Sequence, residues 1–411
     1  MTIRYLTAMA VAATLTSIAS ADEWLQFRGP GCQSVADEVS VPLEWSVETG
    51  QNIAWQADLP GDGVSSPIVV DGRVIVTAAD GADHDELMVL AFDSATGKEL
   101  WRRKFWATGR TLCYRTSSVA APTPVSDGEN VYAFYSSNDL VCLDLDGNLK
   151  WLRGLTLDHQ GLGNDIGMAA SPVVVGDAVI VQCDCQSVAF AAAFNKNTGA
   201  TLWETPRTEN SNWASPLGLP ALDAVLLQGR DGLSLLGAKT GEKMWDAKTD
   251  AESIPSAATS GDLVVIPSDG LSLFKKTADG LDVVWRKGGV RPGSPSPVVY
   301  GDRIYTIARG GVMSAVDLET GESAFKRRLG GSFWATPLAT AGRLYCINQD
   351  GDAFVVDAGG KGKVLSKSSF GDAIYGSPAA ADGGMFVRSN GKLWKIAAMA
   401  QAARPADNRV Q

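Results

Sequence analysis

The chain has 411 residues, with 36 Lys and Arg against 46 Asp and Glu, giving a formal net charge of −10. That balance argues against a surface that tracks phosphates, so nucleic acid is not an expected partner. Length alone implies two or three domains, but 44 glycines, 12 tryptophans and many short apolar runs between glycine turns imply one repetitive all-β body.

Taken in order, the N-terminus reads as a secretory leader. Arg4 supplies the positive start, residues 6–18 are apolar or small, and Ala19-Ser20-Ala21 is an A-x-A cleavage site before Asp22. The expected signal peptide is therefore 1–21, and the mature chain is expected to be exported and soluble, in the periplasm or cell envelope or secreted. A membrane anchor would need about twenty apolar residues, and no cysteine follows the cut to carry a lipid. All six cysteines (Cys32, Cys113, Cys142, Cys183, Cys185 and Cys346) lie in the mature part. Export permits disulfides, with every connectivity open, and a body of this size can equally keep buried thiols. Cys183-x-Cys185 lacks the further ligands that a zinc site needs.

Residues 22–44 are expected to wrap over the body and dock the aromatics of WLQFRGPG at 24–31. A repeat then fills 45–397. One phrase is LAFDSATGKELW at 90–101, returning as AFNKNTGATLW at 193–203, LGAKTGEKMW at 236–245 and AVDLETGESAF at 315–325. A second phrase precedes it: Ser or Thr, Pro, a β-branched run, then Asp-Gly or Gly-Asp. Its copies start at Ser66, Thr123, Ser171, Ser215, Ser256, Ser296, Thr336 and Ser377, with Ala257 replacing the proline once. Eight starts predict eight four-stranded antiparallel blades. Residues 49–55 hold only the end of a repeat, and the unit from Ser377 stops after three strands. Pairing the two closes the ring and removes two open edges. Trp55, Trp101, Trp151, Trp203, Trp245 and Trp285 recur at one blade position and are expected to wedge between neighbouring blades. Residues 398–411 form an alanine-rich tail.

The long insertions, 102–121 and 153–170, fall on one face with the turns at 80–86 and 184–186. Both histidines, His84 and His159, map there, with Arg110, Arg115, Asn138, Asp139, Asn164 and Asp165. Polar residues and extra length gathered on one sector mark a candidate ligand or partner face. Trp213, Trp334 and Tyr375 stand three residues before the proline position, toward the mouth of the central channel. They are placed to stack on a ligand, to grip a partner, or to fill the channel.

The repeat A-x-D-x-x-T-G-x-x-x-W with Ser-Pro upstream resembles the pyrroloquinoline-quinone (PQQ)-type β-propeller repeat over nearly the whole mature chain. The opening WLQFRGPG, with AAPTPV at 120–125, is similar to exported bacterial propellers of no established activity. The resemblance implies an eight-bladed propeller, found both in quinoprotein alcohol dehydrogenases and in BamB-like propellers that do no chemistry. The quinoproteins hold the quinone over Ca²⁺ with a general-base Asp, a tryptophan stack and a vicinal disulfide. Here there is no Cys-Cys pair, and Asp165 is the sole, weak candidate base, with Asn164 beside it as a possible oxygen donor for calcium. No haem motif, hydrolase elbow or triad is visible. The expectation is thus a binding or scaffolding module, a monomer without cofactor or metal, that takes a protein or envelope component. The alternative is a PQQ- and Ca²⁺-dependent dehydrogenase of alcohols or sugars.

Overall fold

The computed structural model describes residues 23–398, so the leader at 1–21 and the tail beyond 398 lie outside the described residues. Eight four-stranded sheets form an eight-bladed β-propeller. Blade 1 consists of Ile68–Val70, Arg73–Asp80, Glu86–Asp93 and Glu99–Trp106, ordered from the channel outward. Blades 2 to 7 repeat that order. In blade 8, Ala379–Ala381, Gly384–Arg388 and Lys392–Ile396 come from the end of the chain, and Ile53–Asp58 supplies the outer strand. The ring is closed by its two ends.

The Asp-Gly phrase makes the first hairpin of the blade. Asp71 (φ 45°) and Gly72 (φ 68°) both take the left-handed region that a two-residue primed turn requires. The Asp-x-x-Thr-Gly phrase makes the last one. Asp93 accepts hydrogen bonds from the Thr96 hydroxyl (2.6 Å) and amide (2.8 Å), and Asp317 does the same with Thr320. The Thr hydroxyl, then the amide, holds each carboxyl below its usual range.

The tryptophan and the glycine of the repeat belong to one contact, made between blades. A Cβ built on Gly97, Gly147, Gly199 or Gly241 would stand 2.6–2.8 Å from the ring of Trp55, Trp101, Trp151 or Trp203, each on the preceding blade. Gly280 meets Trp245, Gly321 meets Trp285, and Gly362 meets Phe325 in the same way. The indole N–H of Trp55, Trp101, Trp151, Trp203 and Trp285 donates to a backbone carbonyl of the next blade at 2.8–3.0 Å. A bulge in the outer strand re-aims the side chain: Ala91 faces Trp101 while Phe92 already faces Glu99. Blade 7 carries Ser366 at this position, and Gly50, its counterpart in blade 8, has φ 76° with nothing near its Cβ site. Trp45 packs on Phe370 there, and Phe370 on Trp394.

A further brace crosses the closing seam. Arg388 of blade 8 is 1% exposed and donates to Thr77 O (2.6 Å) and Ser65 Oγ (3.1 Å) in or beside blade 1. Burial holds its guanidinium down to about 9.

The N-terminal segment crosses the ring. Trp24, 1% exposed, pairs with Val69 of blade 1, and Leu25 O accepts from Ser126 of blade 2. Arg28 then donates to Ala257 O, Gly31 O accepts from Thr259 of blade 5, and Val35 bridges Ala339 of blade 7. All six cysteines are free thiols. Burial raises the Cys32, Cys113, Cys183 and Cys346 thiols and pushes Cys142 up to about 12. At Cys185 burial also acts to raise the thiol, but hydrogen bonds from the Gly163, Ser187 and Val188 backbone outweigh it and lower it.

The blade-to-blade contact is tested by two glycines of like φ. Gly199→Ala meets both the left-handed strain and Trp151, and should cost about 2–5 kcal/mol. Gly50→Ala meets the strain alone and should cost about 1–2 kcal/mol. Chemical denaturation followed by tryptophan fluorescence compares them; equal losses would contradict the contact.

Candidate functional site

The inner strands begin at the eight Ser/Thr positions, and these residues do more than start a strand. The backbone N–H of each donates to the side-chain oxygen of the next: Ser66 to Thr123, Thr123 to Ser171, Ser171 to Ser215, and Ser215 to Ser256. Ser256 continues to Ser296, Ser296 to Thr336, Thr336 to Ser377, and Ser377 back to Ser66. All eight distances are 2.9–3.1 Å. A residue without a β-oxygen would break the ring, which explains why the hydroxyl is present at all eight starts while the proline is not.

Above this ring lies a cavity of about 420 Å³, opening on the face with the long insertions. Its walls are the residues two before each hydroxyl, among them Trp213, Ile254, Trp334 and Tyr375, joined by Tyr114 and Ile166 from the insertions. Phe27, from the segment that crosses beneath, contributes to the lining at the other end. Among the described residues no Asp, Glu, Lys, Arg or His lines it. Trp213, Trp334 and Tyr375 thus share one chamber. Trp213 is tied by its indole N–H to Gly167 O (2.8 Å), whereas Trp334 is 39% exposed at the mouth.

The polar candidates on the insertions divide. Arg110 and Asp165 form an exposed ion pair at 2.8 Å, between a groove of about 550 Å³ that both line and a second of about 840 Å³ that holds Arg110, Arg115 and His84. Asp165 lines neither the central cavity nor any cluster of metal-ligating groups among the described residues. Asn164 is 3% exposed: its amide donates to Ser211 and its oxygen accepts from the Ile166 amide. Asn138 is fully buried at φ 65°, in the turn between two strands of blade 2. Both asparagine side chains are buried in their loops, where the sequence reading expected them on an exposed face. Polarity marked them, but both serve the loops from within.

Asp139 explains how the first insertion is held. It is buried, and it accepts from the Thr108 amide and hydroxyl (3.0 and 2.6 Å) and from Ser137 Oγ (2.7 Å). Burial raises its carboxyl, and the Thr108 and Ser137 bonds act against that. The Tyr114 amide donates to Ile166 O (3.0 Å), so the two insertions are stitched into one platform. The histidines stand apart, each beside a carboxylate: His84 by Asp62 (3.5 Å) and His159 by Glu204 (3.0 Å). Among the described residues no hydroxyl or thiol bonds to either ring.

Sequence reasoning missed a buried cluster beside the platform. Asp184, 2% exposed, is held by Arg207 (2.7 Å), Gln182 (2.7 Å) and Asn212 (3.0 Å), and these three also reach Gln228 O. The only sequence signal was the Asp184–Gln186 turn. The cluster is satisfied around its carboxylate and ties blade 3 to blade 4.

Three solved structures share the architecture. BamB from Moraxella catarrhalis matches with a TM-score of 0.63 at 18% identity, over 84% of this chain and 96% of that one. A europium-containing methanol dehydrogenase matches at 0.68 and 13%, over 91% of each chain. The quinohemoprotein alcohol dehydrogenase from Comamonas testosteroni matches at 0.71 and 13%, over 95% and 83%. At such identities the likeness concerns fold alone. Among sequences, the outer membrane protein assembly factor BamB of Burkholderia pseudomallei (strain K96243) is 26% identical over 62% of this chain, and that of Yersinia pestis 23% over 71%. The chain spans 64% of the length of each. The family model described as outer membrane protein assembly factor BamB matches residues 34–192, 186–288 and 278–365. With most of its length so matched, the chain belongs to the BamB family.

Proposed function

We propose that this protein is a non-catalytic recognition module of the cell envelope that docks a protein partner on the platform built by its two long insertions. One observation carries the reading. Exposed large apolar side chains on the outer strands, Leu100, Leu149, Leu152, Leu202, Met244, Val283, Val284 and Leu365, are spread around the rim beside the repeat position of the wedge residue. On the insertion face, apart from Trp334 at the channel mouth, they cluster: Trp106 (68% exposed), Leu112, Tyr114, Leu157 (73%) and Ile166 lie within blades 1 to 3 and the insertions that follow them. Arg110 and Arg115 flank them. Apolar anchors rimmed by arginine are the composition of a protein-binding patch.

Membership of a family named for outer membrane assembly, and a leader-like N-terminus, support an envelope address. No helix among the described residues is long and apolar enough to cross a membrane. The dehydrogenase alternative asks more of the site. A calcium-held quinone wants carboxylate ligands and a base at the cavity, since a hard cation takes oxygen ligands of high charge. The uncharged lining supplies none, and these residues do not fit that group.

In-cell cross-linking followed by affinity capture tests the platform. Leu112→Asp with Leu157→Asp and Arg115→Ala should reduce capture of the partner at least about tenfold, because buried apolar anchors dominate such interfaces. Leu202→Asp on the rim should leave it unchanged. Equal capture by the platform variant, or no specific capture by the wild type, would overturn the reading.

A further inference from the structure

The central cavity carries a second inference; its wall shares Tyr114 and Ile166 with the partner platform, but the inference rests on the hydroxyl ring and on Trp334, which the platform does not use. Each Ser/Thr hydroxyl of the ring accepts one backbone N–H, and among the described residues none donates its own proton to a protein acceptor. A hydroxyl has one donor and two acceptor positions. The floor of the chamber therefore offers a closed circle of O–H donors and spare oxygen lone pairs, all facing one space. Thr116, Ser117 and Ser294 add three more hydroxyls to the lining.

Three features define what fits. The lining has no charged side chain, so a charged ligand would lose its hydration without a counter-ion. A purely apolar ligand would leave the hydroxyl circle without acceptors. The upper wall is aromatic: Trp213, Trp334, Tyr375 and Tyr114 line it above the hydroxyls. A molecule that is neutral, has hydroxyls around its edge and has C–H faces satisfies all three, and about 420 Å³ lies within the range of small-ligand sites. We infer that the central cavity binds a neutral saccharide, entering from the insertion face, stacked against Trp334 and hydrogen-bonded to the Ser/Thr ring. Trp334 is the residue whose exposed face a sugar ring would cover. With Phe27 at the other end, binding is end-on, and a glycan terminus or a short free saccharide enters by the same route.

Isothermal calorimetry of the purified protein with cellotriose, maltotriose and triacetylchitotriose, each in turn, tests the site. Saturable heat with at least one of them is expected. Trp334→Ala should weaken it about tenfold or more, as for a buried aromatic anchor, and Trp334→Phe should restore most of the loss. The variant Leu112→Asp with Leu157→Asp should bind as the wild type, which separates this site from the platform. Absence of saturable heat with all three sugars would overturn the inference. So would affinity unchanged in both Trp334→Ala and Tyr375→Ala, or affinity lost through the platform variant alone.

Discussion

The closed circle of backbone-to-hydroxyl bonds is the interaction on which the rest of the molecule depends. A four-stranded blade has two edges and two apolar faces, and it can hide neither alone. Stacking side by side covers the faces, but only closure leaves no blade at an end. The eight hydrogen bonds fix the inner strands to one another at the radius where eight blades meet. Each contributes about 0.5–1.5 kcal/mol, and every blade is both donor and acceptor. Losing one member therefore opens a circle, a larger event than losing one bond. The same circle leaves its O–H protons unspent, so the device that closes the fold also sets the chemistry of the channel.

The outer part of the ring is held by a different contact, the seating of an aromatic ring on the glycine of the following blade. It turns the spacing of the repeat into geometry. Glycine is needed where the chain runs at positive φ and where a Cβ would strike the ring, and at Gly199 both hold at once. Blade 7 shows the rule by its exception. Ser366 replaces the aromatic where the partner turn would come from Gly50, and Trp45, Phe370 and Trp394 pack at that seam instead. Across the next seam, Trp55, Arg388 and the Ser377–Ser66 bond join blade 8 to blade 1.

The architecture was legible in the sequence because its signals are local and repeated eight times. An orphan half-repeat at one end and a missing strand at the other left one way to close. The roles of the repeated residues were less legible. The serines marked strand starts in the sequence, and only the geometry shows that each serves its neighbour. On the insertions, polarity could not separate a side chain that faces solvent from one that holds a loop. Arg110 and Arg115 face out, while Asn138 and Asn164 are buried in turns. The Asp184 cluster gave no repeated signal, and for residues 24–36 the aromatics implied docking over the body but not which blades they meet. Contacts across more than two hundred residues, such as Arg28 to Ala257, leave no periodic trace.

The proposed recognition role rests on an uncharged, hydroxyl-floored channel beside an apolar, arginine-edged platform. The architecture is shared with dehydrogenases, but function follows the residues that line a site, and here they offer no carboxylate at the centre of the ring. The most direct measurement is to incubate the purified protein with pyrroloquinoline quinone and Ca²⁺. Quinone absorbance after gel filtration and electron-acceptor reduction with a panel of alcohols and sugars are then recorded. The account predicts that no stoichiometric quinone stays bound and that no substrate is turned over. Stoichiometric retention with turnover would contradict it.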